Sequence, residues 1–169
     1  AKVAEKNRTV LCLEPNPESY GTDFLTRTEE TCELVKKIDR AGLRVNLDTG
    51  TMIINGEDPE QLVTAYADLI GHVHISSPDL APVRIHSVHV ETIATLKKMG
   101  YAKWIAVEMK SWPKNLEEIE RAALSFAKLV RHERNSYFFG ASKKSATPSW
   151  GESGSSPSCA GIQTFATRR

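Results

Sequence analysis

Four times between Thr9 and Glu108, a short run of strand-forming residues carries or meets a side chain able to bind a cation, and a helix-length stretch follows. The runs are 9–13, ending at Glu14; 43–47, ending at Asp48; 72–75, which carries His74; and 104–107, ending at Glu108. Helix-length spacings between apolar strands imply a parallel sheet, because each crossover must bring the chain back to the same end. In such a sheet the C-terminal strand ends share one edge, so these four side chains can converge there. The expected fold class is α/β, built from four βα units.

The stretches between the runs read as helices. Over 26–41, Cys32, Leu34, Val35 and Ile38 recur at helical spacing and Gly42 supplies a stop. Asp58 and Pro59 open the next helix as cap and first residue, and it is expected to run to about Ile70 with Gly71 behind it. A third passes through Ile93, Leu96 and Met99 to Gly100. Asn115 caps a fourth, with Leu116, Ile119, Ala123, Phe126 and Val130 on its apolar face. Pro15 and Pro17 forbid both helix and ladder after the first run, and residues 76–84 form a second proline-bearing loop. After about Asn135 the periodicity stops, and 142–157 is rich in Ser, Gly, Lys and Pro. The chain therefore divides into a βα region over 1–135 and a low-complexity tail over 136–169, expected to be disordered.

Composition removes several classes of function. Among 169 residues, Lys and Arg number 22 against 21 Asp and Glu, a net charge of +1 that argues against binding nucleic acid through its phosphates. No apolar run approaches the ~20 residues of a membrane span, so no membrane partner is expected. Residues 1–6 contain no apolar signal core, and three scattered cysteines make neither a disulfide framework nor a zinc motif. A cytoplasmic location is expected.

Taken singly, each of the four residues has an ordinary reading: a turn residue for Glu14 or Asp48, a hydrogen-bonded core ring for His74, an ion-pair partner for Glu108. Their coincidence at four strand ends favours a site. Three carboxylates and an imidazole suit Mn²⁺, Mg²⁺ or Co²⁺, with Zn²⁺ admitted through the imidazole.

The segments Leu13-Glu14-Pro15-Asn16-Pro17, Leu47-Asp48-Thr49-Gly50, Gly71-His72-Val73-His74-Ile75-Ser76 and Val107-Glu108-Met109-Lys110 resemble the xylose-isomerase-like TIM-barrel superfamily. Within it they are most similar to the sugar isomerases and epimerases, including ketose 3-epimerases and inosose dehydratases. The resemblance covers about residues 3–133 and corresponds to the C-terminal half of that barrel, which implies a half barrel of four βα units. It implies that Glu14, Asp48, His74 and Glu108 bind one divalent metal ion. It also implies that Glu14 and Glu108 act as the acid/base pair on opposite faces of a substrate carbon, removing a proton α to a carbonyl through an ene-diolate.

His72 and His89 are carried as candidate substrate-binding residues. Barrel-interior packing competes for His72, and a helix cap competes for His89 and its neighbour His86. The epimerases commonly have a histidine where this chain has Thr51, a departure that speaks against the three-zinc endonuclease relatives. The expected partner is a small-molecule sugar or keto-sugar, with the missing half barrel or a second copy of the chain covering the open face. A fragment of a longer product and a chain completed by a second copy are both open readings of the missing half. Two further readings stay open: a truncated, non-catalytic remnant that binds metal or a partner, and a keto-sugar dehydratase of the inosose type.

Overall fold

A computed structural model describes residues 1–110, 116–136 and 162–167. After a short helix α1 (Lys2–Lys6), the four βα units follow as β1 (Leu11–Leu13), α2 (Thr28–Ile38), β2 (Leu43–Asp48), α3 (Thr49–Asn55), α4 (Pro59–Tyr66), β3 (Ile70–Ile75), α5 (Ser87–Lys98), β4 (Ile105–Lys110) and α6 (Leu116–Ser136). β1 to β4 pair in chain order and in parallel, giving the expected half barrel.

One face of this sheet is apolar and packed. Leu47, Val73, Ile75, Val107 and Met109 bury against Met52 of α3, Leu62 and Val63 of α4, Ile93 and Leu96 of α5 and Phe126 of α6. Leu43 and Val45 do the same against Cys32 and Val35 of α2. Each such fully buried aliphatic or aromatic side chain contributes about 1.5–3 kcal/mol relative to exposure, so this outer face fixes which way every strand is turned. The alternate residues Asn46 and Asp48, His72 and His74, and Ala106 and Glu108 are left to the concave face.

β3 reaches this arrangement only through a bulge. Val45 pairs with Ile70 but Asn46 pairs with His72, so Gly71 is an extra residue in the ladder. Ile70 and Val73 are both in the helix-packed core although they stand three positions apart, an odd offset that plain alternation would put on opposite faces; the extra residue makes the shared face possible. A Cβ at Gly71 would lie 2.5 Å from Arg44 Cβ and 2.8 Å from Cys12 Sγ, which leaves glycine as the residue that fits.

Several boundaries differ from the sequence reading. Ile70 and Gly71 belong to β3 rather than to the end of the preceding helix, since α4 stops at Tyr66 and a 3-10 turn covers Ala67–Leu69. Helix α3 lies where a turn was expected. Asp48 caps it by accepting a hydrogen bond from Thr51 N, and Gly56 ends it with φ of 61°. Within 136–169, the stretch expected to be a disordered tail, one element is described beyond α6. Residues Ile162–Thr167 form β5, parallel to β4, in register from Ile105–Ile162 to Lys110–Thr167. This segment lies beyond the Ser-, Gly- and Pro-rich stretch 142–157, and Ile162, Thr164, Phe165 and Thr167 are strand formers that suit an open sheet edge. The rest of that tail, 137–161 and 168–169, lies outside the described residues.

The bulge supplies a test. Gly71→Ala should destabilise the chain by about 1–3 kcal/mol, the usual cost of forcing a methyl into a packed site. A urea midpoint equal to that of the unmodified chain would remove the close approach to Arg44 and Cys12 as a constraint.

Candidate metal centre

Glu14, Asp48, His74 and Glu108 each offer a ligand atom at the C-terminal edge of the sheet, and these four atoms lie within 4.8 Å of one another. Each comes from a different strand or strand end, so the parallel register and not any local motif brings them together. His74 Nδ1 stands 2.8 Å from Glu14 Oε1 and 3.0 Å from Glu108 Oε2, bridging the two glutamates. Burial works against charge on this ring, but the hydrogen bonds and fields of Glu108 and Glu14 outweigh it and push its pKa up to about 10. Without a metal, the ring is an imidazolium at neutral pH.

Asp48 is the buried member, with 7% of its surface exposed. Burial raises its pKa, opposed by hydrogen bonds from Ser76 and Thr51. Thr51 N donates to Oδ1 at 2.7 Å and Ser76 Oγ donates to Oδ2 at 2.7 Å, so both oxygens have fixed directions. Ser76 is itself held. Its amide donates to Thr49 Oγ1, whose hydroxyl donates back to Ser76 O, and Ser76 Oγ accepts from Gly50 N at 2.8 Å. A Cβ on Gly50 would sit 2.5 Å from that Oγ, which ties the glycine to the placement of Asp48.

The two candidate substrate residues have different fates. His72 is half-buried on the concave face, its ring centroid 5.0 Å from that of His74 in an edge arrangement, and burial followed by the neighbouring His74 lowers its pKa. His89 is fully buried and does not face the cleft. Its Nδ1 accepts from His86 N at 3.1 Å and its Nε2 lies 2.9 Å from Ser76 O. With both nitrogens engaged, His89 is corrected from a substrate-facing residue to part of the cap on α5. His86 is the N-cap, accepting from Val88 N through Nδ1. Thr51 likewise spends its hydroxyl on Pro15 O.

Sequence reasoning passed over two residues of the site. Asn46 donates through Nδ2 to Glu14 Oε1 at 2.8 Å and lies 3.1 Å from His74 Nδ1. Ser76 positions Asp48 as described. Both stand two residues from a candidate ligand, Asn46 before Asp48 and Ser76 after His74. A period-two scan for polar residues beside each ligand would have found them. At the rim, Asp79 N donates to Tyr20 Oη at 2.6 Å and joins the loop after β1 to the loop after β3.

A family model described as xylose isomerase-like TIM barrel matches residues 1–129. No curated protein matches the chain.

The His74 environment sets a pH dependence. Its folded pKa is raised above the ordinary value of about 6.5, so its contribution to stability is complete below that value and is lost as the pH rises through about 10. In the metal-free protein, the difference in urea midpoint between the unmodified chain and His74→Asn should shrink steadily from pH 6.5 to 10. A difference that stays constant over this range would show that His74 carries no proton between the glutamates.

Proposed function

The chain belongs to the xylose isomerase-like TIM-barrel family, and from that premise we propose that Glu14, Asp48, His74 and Glu108 hold one divalent cation in a site for sugar isomerisation or epimerisation. The observation that carries this reading is the convergence of three carboxylates and one imidazole on one sheet edge, with ligand atoms within 4.8 Å of one another. The donor set is hard apart from the imidazole, which suits Mn²⁺, Mg²⁺ or Co²⁺ and accommodates Zn²⁺. It also needs positive charge. The protonated His74 supplies part of that in the metal-free protein by bridging Glu14 and Glu108, and a divalent cation supplies more at the same place.

When bound, such a cation polarises the carbonyl and hydroxyl oxygens of a sugar. The chain's own residues do the rest. Moving a sugar carbonyl, or inverting the carbon beside it, requires taking a proton from the α carbon and returning one to another face or carbon through an ene-diolate. Glu14 and Glu108 flank His74 from separate strands and are assigned this acid/base work, each within reach of the same point. Asp48, with both oxygens held by Thr51 and Ser76, is a fixed ligand that does not exchange protons with substrate. His72 lies next to His74 on the concave face and is assigned a contact to the sugar. A half barrel offers one wall of a pocket, so the second wall is assigned to a further half barrel or a second copy.

The experiment follows the proton. In the assembly the chain forms, with Mn²⁺ saturating, Glu108→Gln should abolish exchange of solvent deuterium into a ketose. Asp48→Asn should retain a measurable fraction, because a general acid or base is worth about 10²–10⁴-fold and a fixed ligand is not spent in the same way. Equal residual exchange in the two variants would take Glu108 out of the acid/base role. Loss of water from a keto-sugar without exchange would assign the site to dehydration instead.

A further inference from the structure

We propose that Asn46 is a positioning residue that sets the Glu14 carboxylate for the cation, an inference that rests on the metal-site reading above. Asn46 sits on the concave face of β2, paired in register with His72 and two residues before Asp48. Only 5% of its surface is exposed. Its Nδ2 donates to Glu14 Oε1, the same oxygen that faces His74 Nδ1.

Glu14 needs such a partner more than Asp48 does. Asp48 is aimed by a backbone amide and a buried hydroxyl. Glu14 follows a strand of three residues and precedes Pro15; its side chain is 31% exposed and meets only Asn46 and His74 among the described hydrogen-bonding residues. A ring nitrogen that binds a cation carries no hydrogen to donate. In the loaded site Asn46 is therefore the remaining side-chain donor, among the described residues, that directs this carboxylate.

A purely structural role explains Asn46 poorly. Its Oδ1 is buried and has no hydrogen-bond partner among the described residues. Burying a carboxamide with one end unpaired is unfavourable, and an apolar residue of similar volume would avoid that penalty. What the asparagine provides and a leucine lacks is the Nδ2 donor on Glu14.

The test compares the unmodified chain with Asn46→Leu, which keeps the volume and removes the donor, using Mn²⁺ titration calorimetry and the visible spectrum of the Co²⁺ form. Loss of an outer hydrogen bond to a ligand typically weakens metal binding about 10–100-fold, and that loss is expected here, with an altered Co²⁺ spectrum. The metal-free thermal midpoint should not fall, while the rise in midpoint caused by Mn²⁺ should shrink; a structural role would lower both midpoints together. If Asn46→Leu does not fold, Asn46→Ser carries the same comparison. Equal Mn²⁺ affinity and identical Co²⁺ spectra in variant and unmodified chain overturn the assignment of Asn46. Absence of Mn²⁺ and Co²⁺ binding in the unmodified chain overturns the metal-site reading itself, and the two failures are told apart by that first titration.

Discussion

Burial of one sheet face against the helices is the interaction on which the rest of this structure depends. Leu47, Val73, Ile75, Val107 and Met109 have no other place to leave water, and with them in the core the intervening side chains are turned to the concave side. Polar residues there are a consequence of the packing before they are a site. The parallel connection then decides where along the sheet they gather, since each strand delivers its C-terminal residue to the same edge.

Such a gathering of carboxylates is unfavourable unless it is compensated, and the compensation is uneven. Asp48 loses its water almost entirely and is repaid with two directed hydrogen bonds, one of them the cap of α3. Glu14 and Glu108 keep partial exposure and share the His74 ring between them. The site therefore has one rigid carboxylate built into the fold and two adjustable ones across an ionisable bridge.

The four parallel βα units and the four converging residues were legible in the sequence because both rest on long-range regularities: apolar runs at helix-length spacing, and a polar residue at each run's end; that the units make a half barrel was implied by the family resemblance. What escaped detection is local or conditional. Helix α3 is seven residues long, too short for periodicity to reveal, and rests on the Asp48 cap. The start of β3 was read as helix because Gly71 resembles a stop signal, whereas here it is a bulge glycine. For His89 a substrate contact and a helix cap both stayed open because a sequence does not display burial; the structure uses its Nδ1 in the α5 cap and holds its Nε2 against Ser76 O. β5 was grouped with the Ser- and Gly-rich stretch before it, although Ile162, Thr164, Phe165 and Thr167 are strand formers, because a six-residue run alone does not show the sheet edge it pairs with.

The bulge at Gly71 also has a consequence for how this segment can change. Ile70 and Val73 stand three positions apart yet both lie in the core, which holds only while Gly71 is left out of the alternation. Removing Gly71 would leave them two positions apart, and ordinary strand alternation would then keep both towards the helices and both imidazoles on the concave side. What such a deletion would take away is the local bend and added twist of the bulge. Loss of Gly71 is therefore compatible with the facing of every residue that follows it, whereas a side chain at that position meets Arg44 and Cys12.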